Sequence, residues 1–401
     1  MDALDRRAPA LLATLGVRGP QSRTQLARGL GLSPATVTQL TRQLLTAGVI
    51  GEVDSVPSRG GRPATLLALT NRRAGAIGVK VSPSRITVVP VQMDGAVGER
   101  TVAEFDPGAP EALEVLADTI ATQVQEFDGV LLGVGVGLPG AVDDQARGVV
   151  DAPTLGWSGM AVGDYLRRTL PQPVPVLLDN DVNTLAVAEH MYGEAGRHPS
   201  PLIVTIGHGI GCAIVAGGRL HRGFRGGAGE LGHVPVALDG PECRCGNRGC
   251  LEALVGDDAL AQRARERGIV GPQEGKSELN DRALGGHPGA IQLFEEAGTL
   301  LGRTLAGLAQ VVDPDVLVIL GEGTDVWELW RPSFTMALRR HLLPDRRSIP
   351  IVMEDWPDDR WAAGAASLVL FSPFDTDGLG GDQGELVRTR LHRGLTEAVE
   401  A

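Results

Sequence analysis

The sequence predicts an α/β protein in which a small winged helix-turn-helix head precedes a two-lobed α/β body carrying a metal knot. The first observation behind this is a change of pattern: short helical segments fill the first 73 residues, and from residue 74 strands alternate with helices. The second is charge. Residues 1–73 hold ten Arg against four Asp or Glu, a balance of +6, while the remainder holds 27 basic and 45 acidic residues, a balance of −18. A basic end on an acidic body suggests that this end meets a polyanion. The third is a cluster of cysteines, three of the four lying between positions 243 and 250.

Length and composition bound the answer. A chain of 401 residues accommodates two or three domains, and 43% hydrophobic residues allow large buried cores. Aromatic residues make up only 3%, which argues against a base-stacking platform for single strands. Glycine, 55 residues, stands at about twice its usual share, so many tight turns are expected. No run is long and apolar enough to span a bilayer, and Met-Asp-Ala-Leu-Asp-Arg-Arg does not read as a signal peptide. Few cysteines, mostly in a metal pattern, fit a reducing cytoplasm.

The head occupies residues 1–73. Residues 8–17 read as a short apolar helix, and Ser22 is placed to cap a second helix through Arg28. Gly29-Leu-Gly31 forms the turn, and Ser33-Pro34 opens a third helix with a capping hydroxyl before a first-turn proline. Val37, Leu40, Leu44 and Leu45 would face inward, leaving Thr36, Thr38, Gln39, Arg42 and Gln43 outward. Helix, glycine turn and a polar-faced helix make the helix-turn-helix arrangement, whose second helix enters the major groove of double-stranded DNA. Residues 49–53 and 64–69 read as two strands of a wing flanking Pro57-Ser-Arg-Gly-Gly-Arg-Pro63. Ser33, Thr36, Thr38, Gln39 and Arg42, with Arg59 and Arg62 on the wing, are the candidate DNA contacts. Gln39 suits adenine, Arg42 guanine or phosphate, and the wing arginines phosphate or the minor groove. The plainer alternative is a helical interaction domain with a solvated basic face.

In the body, 76–81 and 85–92 read as paired strands with a turn at Asp94-Gly95, followed by a helix over 111–127. Residues 130–140 form a buried strand ending in a glycine loop. Residues 175–178 form another, running straight into Asp179-Asn180-Asp181, where α/β folds build their sites. Residues 202–215 read as strand, glycine loop and strand, with Gly207, Gly209 and Gly211 alternating. Backbone N–H groups bared by such glycines can cradle a phosphate, though a simple hairpin explains them equally well. Helices at 257–267 and 291–311, a core strand at 316–320 and a small-residue helix over 360–370 complete the body. Residues 375–383 read as a flexible linker and 385–401 as a short exposed helix. The two strand and glycine-loop units suggest a duplicated fold.

His233 lies ten positions before Cys243, and Gly246 and Gly249 let the chain turn between Cys243, Cys245 and Cys250. One imidazole and three thiolates make a closed Cys3His site, the arrangement a structural zinc takes, one per chain. A disulfide is the alternative, but 243 and 245 are too close to bridge comfortably and three thiols leave one unpaired. Glu230 precedes His233 by three residues and Glu252 follows Cys250 by two. A metal knot would hold these carboxylates beside an imidazole as a grip for vicinal hydroxyls.

Gly-His-Gly-Ile-Gly-Cys at 207–212, Glu-Leu-Gly-His at 230–233 and Cys-x-Cys-Gly-x-x-Gly-Cys-Leu-Glu at 243–252 resemble the ROK family of repressors, open reading frames and kinases. The likeness extends through Leu138-Pro-Gly140, Leu155-Gly-Trp157, Asn180-Asp181 and Asp313-Pro-Asp315, and with the head covers about residues 10–370. It implies the actin-like, hexokinase-type fold. The expected division is a first lobe over 74–178 rejoined by 360–372, a second over 179–359 with the zinc site and dimerisation surface, and a tail from 373. The resemblance also implies that Asn180, Asp181, Glu230, His233 and Glu252 bind a sugar, Asp181 standing where the family's kinases keep their general base.

The nucleotide elements depart from that pattern. Family kinases carry Asp-x-Gly-Gly-Thr in the first hairpin, whereas this chain has Lys80-Val-Ser-Pro-Ser84. The aspartate that assists the metal nucleotide has become lysine, and Pro83 removes an N–H donor. His208 stands where kinases usually have threonine, and the adenosine-side Gly-Gly is interrupted as Gly321-Glu-Gly323. The resulting expectation is a cytoplasmic, sugar-responsive DNA-binding regulator rather than an enzyme. It would act as a repressor of carbohydrate genes, binding a pseudo-palindromic operator as a homodimer or dimer of dimers. The alternative is an active ATP-dependent sugar kinase carrying a DNA-binding head.

Overall fold

A computed structural model of the chain describes residues 7–18, 20–46, 48–56, 64–69, 74–143, 147–354, 359–375 and 380–397. The chain divides into two compact units, residues 1–196 with 358–401, and residues 197–357.

The first unit begins with α1 (Ala8–Arg18), β1 (Gln21–Ser22), α2 (Arg23–Leu30), α3 (Pro34–Thr46), β2 (Ile50–Val56) and β3 (Ala64–Leu69). Ser22 caps α2 as expected. Its Oγ accepts from the Gln25 N–H, and Gln25 Oε1 accepts from the Ser22 N–H at 2.8 Å, closing a capping box. Gly31 ends α2 at φ 63°, a left-handed conformation that suits glycine. Leu11, Leu12 and Leu15 of α1, Leu26, Val37, Leu40, Leu44 and Leu67 are buried together with almost no exposure. Burying each leucine is worth about 1.5–3 kcal/mol, so this small core is substantial. The inward face of α3 differs from expectation at one position. Leu45 is only half-buried, and Thr41 is buried instead. Positions 37, 40, 41 and 44 follow the i, i+3, i+4, i+7 rule, which leaves 45 at the margin. Thr41 is affordable there because its hydroxyl accepts from Arg23 Nε at 3.0 Å and donates to the Thr38 carbonyl. The sheet order is β1-β3-β2, all antiparallel. The loop carrying Arg59 and Arg62 lies outside the described residues.

Next come β4 (Ala74–Ser82), β5 (Arg85–Gln92), β6 (Thr101–Glu104), α4 (Ala112–Glu126), β7 (Val130–Leu138), β8 (Ala141–Val142), β9 (Val149–Ala152), β10 (Trp157–Ala161), α5 (Val162–Thr169), β11 (Val176–Asn180) and α6 (Asp181–Tyr192). The main sheet runs β11-β7-β4-β5-β6, antiparallel through β4, β5 and β6 and parallel from β4 through β7 to β11.

The second unit holds β12 (Pro201–Ile206), β13 (Ile210–Ala216), β14 (Arg219–His221), α7 (Glu252–Val255), α8 (Asp257–Glu266), α9 (Lys276–Leu284), α10 (Pro288–Val312), β15 (Val316–Leu320), α11 (Trp327–His341) and β16 (Ile351–Met353). Its sheet, β14-β13-β12-β15-β16, repeats the same plan: a three-strand antiparallel meander extended on one side by two parallel strands. The suspected duplication is therefore real at the level of topology. Helix α11 had no sequence signal of its own, since Pro332 sits inside it. Packing overrides that penalty, with Trp327, Trp330 and Phe334 buried against the core of α10.

The chain then returns to the first unit as α12 (Arg360–Phe371) and α13 (Gly381–Glu397). Two expectations are corrected here. The boundary falls at 196/197 rather than 178/179, because α6 packs against α12 on the first sheet. Helix α13, expected from the sequence as a short exposed helix, is instead docked. Val387 and Leu391 of α13 are buried, Arg390 Nε donates to the Leu131 carbonyl, and Gln383 Oε1 accepts from the N–H of Val176 on edge strand β11.

Helix α12 reaches the sheet because β4 and β7 carry glycine beneath it. A Cβ on Gly78 would lie 1.9 Å from the Ala362 carbonyl oxygen, and one on Gly135 would lie 1.9 Å from that of Ala365. Gly135→Ala is therefore expected to destabilise the protein by about 1–3 kcal/mol or more, as overpacking against rigid backbone does. Gly307→Ala, on an open face of α10, is expected to stabilise by about 0.5–1 kcal/mol. Denaturant midpoints of the two variants measure both; equal midpoints would contradict the packing described.

Candidate functional site

Segment 230–252 of the second unit is folded by its own backbone into a compact knot. The Cys243 N–H donates to the Asn247 carbonyl at 2.8 Å, and the Gly246 N–H donates to Cys243 at 2.9 Å. Gly246 and Gly249 have φ of 88° and 70°, which lets the chain reverse between the thiols. Pro235 and Cys250 pair across the turn as an isolated bridge.

The knot brings the ligand atoms of His233, Cys243, Cys245 and Cys250 within 4.8 Å of one another. All four cysteines of the chain are free, so the disulfide alternative does not apply. Burial pushes the Cys250 thiol up to about 12, and burial likewise raises Cys243. Cys245 is pushed the same way by burial, but hydrogen bonds from the Asn247 backbone and from Cys243 and Cys250 outweigh this and hold it down. Three thiols thus compete over negative charge, a conflict that a dication resolves by stabilising every thiolate. Three sulfurs and one imidazole in this spacing fit a tetrahedral metal site.

His233 faces two ways. Its Nδ1 lies 3.5 Å from Cys243 Sγ, and its Nε2 lies 3.8 Å from Glu230 Oε2. One ring nitrogen is therefore available to a metal and the other to a carboxylate or a ligand hydroxyl, the usual arrangement of a metal-held imidazole. Glu252, at the first position of α7, has a structural task. Its Oε2 accepts from the Ile210 N–H at 3.1 Å and so anchors the glycine loop between β12 and β13. The same oxygen lies against Gly209, where an added Cβ would stand 2.7 Å away. His208 is exposed on this loop, 3.8 Å from Asp257, which Lys276 holds at 2.8 Å.

The first unit carries Asn180 and Asp181 at the end of β11 and the start of α6. Asn180 is largely occupied with architecture. Its Oδ1 accepts from the N–H groups of Val182 and Asn183 as the cap of α6, and its Nδ2 donates to the Gly140 carbonyl at 2.9 Å. That last bond ties the Leu138-Pro-Gly140 loop to the helix. Buried Asp179 accepts from the Asn180 N–H and from Asn183 Nδ2.

Asp181 is engaged on both oxygens. Oδ1 accepts from the Val182 N–H, and Oδ2 is ion-paired with Lys80 Nζ. Both side chains are about 15% exposed, and the ammonium also lies 4.5 Å from the ring centroid of Trp361 on α12. The sequence shows Lys80 as a reversal of charge; only the fold shows that the reversed charge lands on Asp181. Trp361 carried no signal beyond a lone aromatic in a small-residue helix.

On α3, Ser33 Oγ accepts from the Thr36 N–H and bonds the Thr36 hydroxyl at 2.8 Å, so both residues serve as helix cap. Thr38, Gln39 and Arg42 are exposed along one outward face.

The sequence profile of the ROK family matches residues 77–371. The chain is 30% identical over 368 residues to the DNA-binding transcriptional dual regulator NagC of Escherichia coli, covering 88% of this chain and 89% of that one. It is 26% identical to the xylose repressor of Bacillus subtilis, covering 77% and 80%. The crystal structure of a ROK family transcriptional regulator, a homologue of the E. coli MLC protein, superposes with a TM-score of 0.74 at 24% identity, covering 96% of this chain and 98% of that one. A ROK family glucokinase from Streptomyces griseus, solved with glucose and AMPPNP, superposes at 0.65 and 27% identity, covering 98% of its own chain but 73% of this one.

Cys245→Ser is expected to abolish tight metal binding and to lower the melting temperature. Elemental analysis and a thermal melt with and without chelator measure this; a variant as stable and as metal-loaded as the parent would contradict the four-ligand site.

Proposed function

The chain belongs to the ROK family, and from that premise we propose that it is a sugar-responsive, DNA-binding transcriptional regulator. It acts in the cytoplasm as a repressor of genes for carbohydrate uptake or metabolism. The observation that carries this reading is Lys80 on Asp181. A kinase of this fold needs that carboxylate to take a proton from the attacking hydroxyl, and a carboxylate already paired with a partly buried ammonium is poorly placed to do so. What remains is recognition without phosphoryl transfer.

The head supports the same reading. The glucokinase match spans 73% of this chain, while the regulator match spans 96% and so includes most of the head. The winged helix-turn-helix would lay α3 in the major groove with Thr38, Gln39 and Arg42 toward the bases or phosphates. Arg59 and Arg62 would add wing contacts, and Ser33 and Thr36 would fix the helix start. Zinc, one ion per chain, is the metal that the three thiolates and His233 suit, and its role is structural. For the effector, a monosaccharide or close derivative, we assign Glu230, His233 and Glu252 of the second unit to ligand hydroxyls; Asn180 and Asp181 of the first unit are assigned the same chemistry on their own sequence pattern. Asn180 contributes its remaining N–H and Glu252 its other oxygen. Dimers on a pseudo-palindromic operator follow from helix-turn-helix geometry, and effector binding releases the operator by favouring one of two conformations.

The rival reading, a working sugar kinase with a DNA-binding head, draws on the likeness to a glucokinase solved with AMPPNP. A thermal-shift screen against neutral sugars, amino sugars and sugar phosphates, with and without Mg-ATP, separates the two. An effector at about 100 times its dissociation constant stabilises by about 2.7 kcal/mol, an easily measured shift. One responsive sugar and no nucleotide response is the expected result. Sugar-dependent ADP release that Asp181→Asn abolishes would overturn the proposal. For the head, Arg42→Ala is expected to weaken operator binding and, if the contact is to phosphate, to reduce the salt slope by about 0.9. Unchanged affinity in a titration across salt concentrations would move the DNA face elsewhere.

A further inference from the structure

The glycine loop between β12 and β13 is closed by a side chain from the turn after β15. An added Cβ on Gly207 would stand 2.4 Å from Glu322 Oε2, 3.4 Å from its Cδ and 3.5 Å from its Cβ. Glu322 therefore lies along Gly207 for its whole length, with the carboxylate at the loop. The backbone forces it there. Gly321 has φ 109° and, with Gly323, packs directly on Ile206, so the residue between them is carried over the end of β12. Thr324 locks the turn, its N–H and hydroxyl both donating to the Gly321 carbonyl at 3.0 and 2.7 Å. On the loop's other side Glu252 Oε2 holds the Ile210 N–H, and Asp257 donates its own N–H to the Gly207 carbonyl.

We propose that Glu322 is an internal anion that excludes phosphate groups from the Gly207–Gly211 loop, and so sets the ligand specificity of this unit against nucleotides and inorganic polyphosphates. The inference rests on the reading of the chain as a regulator and adds a cause to it. Loss of nucleotide binding is an occupied and negatively charged loop, rather than only a set of missing contacts. The Glu322 side chain fills the space that a phosphate oxygen needs to approach Gly207, and its carboxylate brings negative charge to the loop that would receive an anion. Substitution of the middle residue in Gly321-Glu-Gly323 is thus a gain of an obstructing group.

The test uses the full-length protein and inorganic tripolyphosphate, with Mg-ATP as a second probe, in calorimetric titrations. The parent is expected to show no saturable binding at millimolar ligand. Glu322→Gln, which keeps the shape and removes the charge, is expected to bind at least about tenfold tighter than the parent. Glu322→Gly, which also opens the space, is expected to bind tighter still. Folded variants that bind neither probe better than the parent would overturn the proposal and leave the regulator reading intact. Saturable Mg-ATP binding by the parent would overturn both.

Discussion

Helix α12 meets its sheet at backbone distance, and much of the first unit is arranged by that approach. Glycine at positions 78 and 135 leaves room for the carbonyls of Ala362 and Ala365, so no side chain separates helix from strand. Close-packed backbone of this kind has two consequences. It gains dispersion contacts that a bulkier interface would spread out, and it fixes register, because sliding by one residue brings carbonyl oxygen into Cβ. The helix carries two large side chains at its start. Arg360 reaches Glu189 of α6, which is 2% exposed, and Trp361 lies over the ammonium of Lys80. Lys80 in turn holds Asp181 at the head of α6. The position of two largely buried charge pairs thus follows from four small residues at the contact between helix and sheet. Breaking such a pair by removing one member costs about 3–5 kcal/mol, so the arrangement is self-consistent and hard to alter piecemeal.

The second unit solves a different problem, that of holding a loop rich in glycine in one shape. A metal at the Cys3His cluster would stiffen segment 230–252, and Glu252, just beyond the last cysteine, ties that segment to the Ile210 N–H. His233 joins the cluster through one nitrogen and looks toward Glu230 with the other. A metal at the cluster would therefore set the orientation of an imidazole and a carboxylate that a polyol can use. The same construction is compatible with catalysis or with sensing. Two charges bear on the choice: Lys80 on Asp181, and Glu322 along the glycine loop.

Local features were legible at once. The cap at Ser22, the buried face of α3, the strands at 130–138, 201–206 and 316–320, and the metal spacing of 243–250 all depend on neighbours a few residues apart. Periodicity and side-chain type express such contacts directly. Helix α11 was not legible, because an internal Pro332 speaks against a helix and only burial of Trp330 and Phe334 compensates. The burial of α13 was hidden for a related reason. Its mean composition is polar, and two apolar residues with Arg390 and Gln383 suffice to dock it on β7 and β11. Asn180 reads from the sequence as a ligand contact, and the fold adds a second task, the cap of α6, since an Asn at a strand-to-helix junction suits either.

Read without coordinates, the residues already point to a basic head, an α/β body, four candidate metal ligands and nucleotide motifs that depart from the family pattern. Each of these is a property of residue type at fixed spacing, and type and spacing are what a chain carries openly. The tertiary structure alone decided what became of the replaced residues. Lys80 and Asp181 stand 101 positions apart, and Glu322 stands 115 positions beyond Gly207. Whether such residues meet depends on strand order, on the register between sheets and helices, and on which glycines allow backbones to close. A lysine in the first hairpin is only a departure from a motif until the fold sets it on the Asp181 carboxylate.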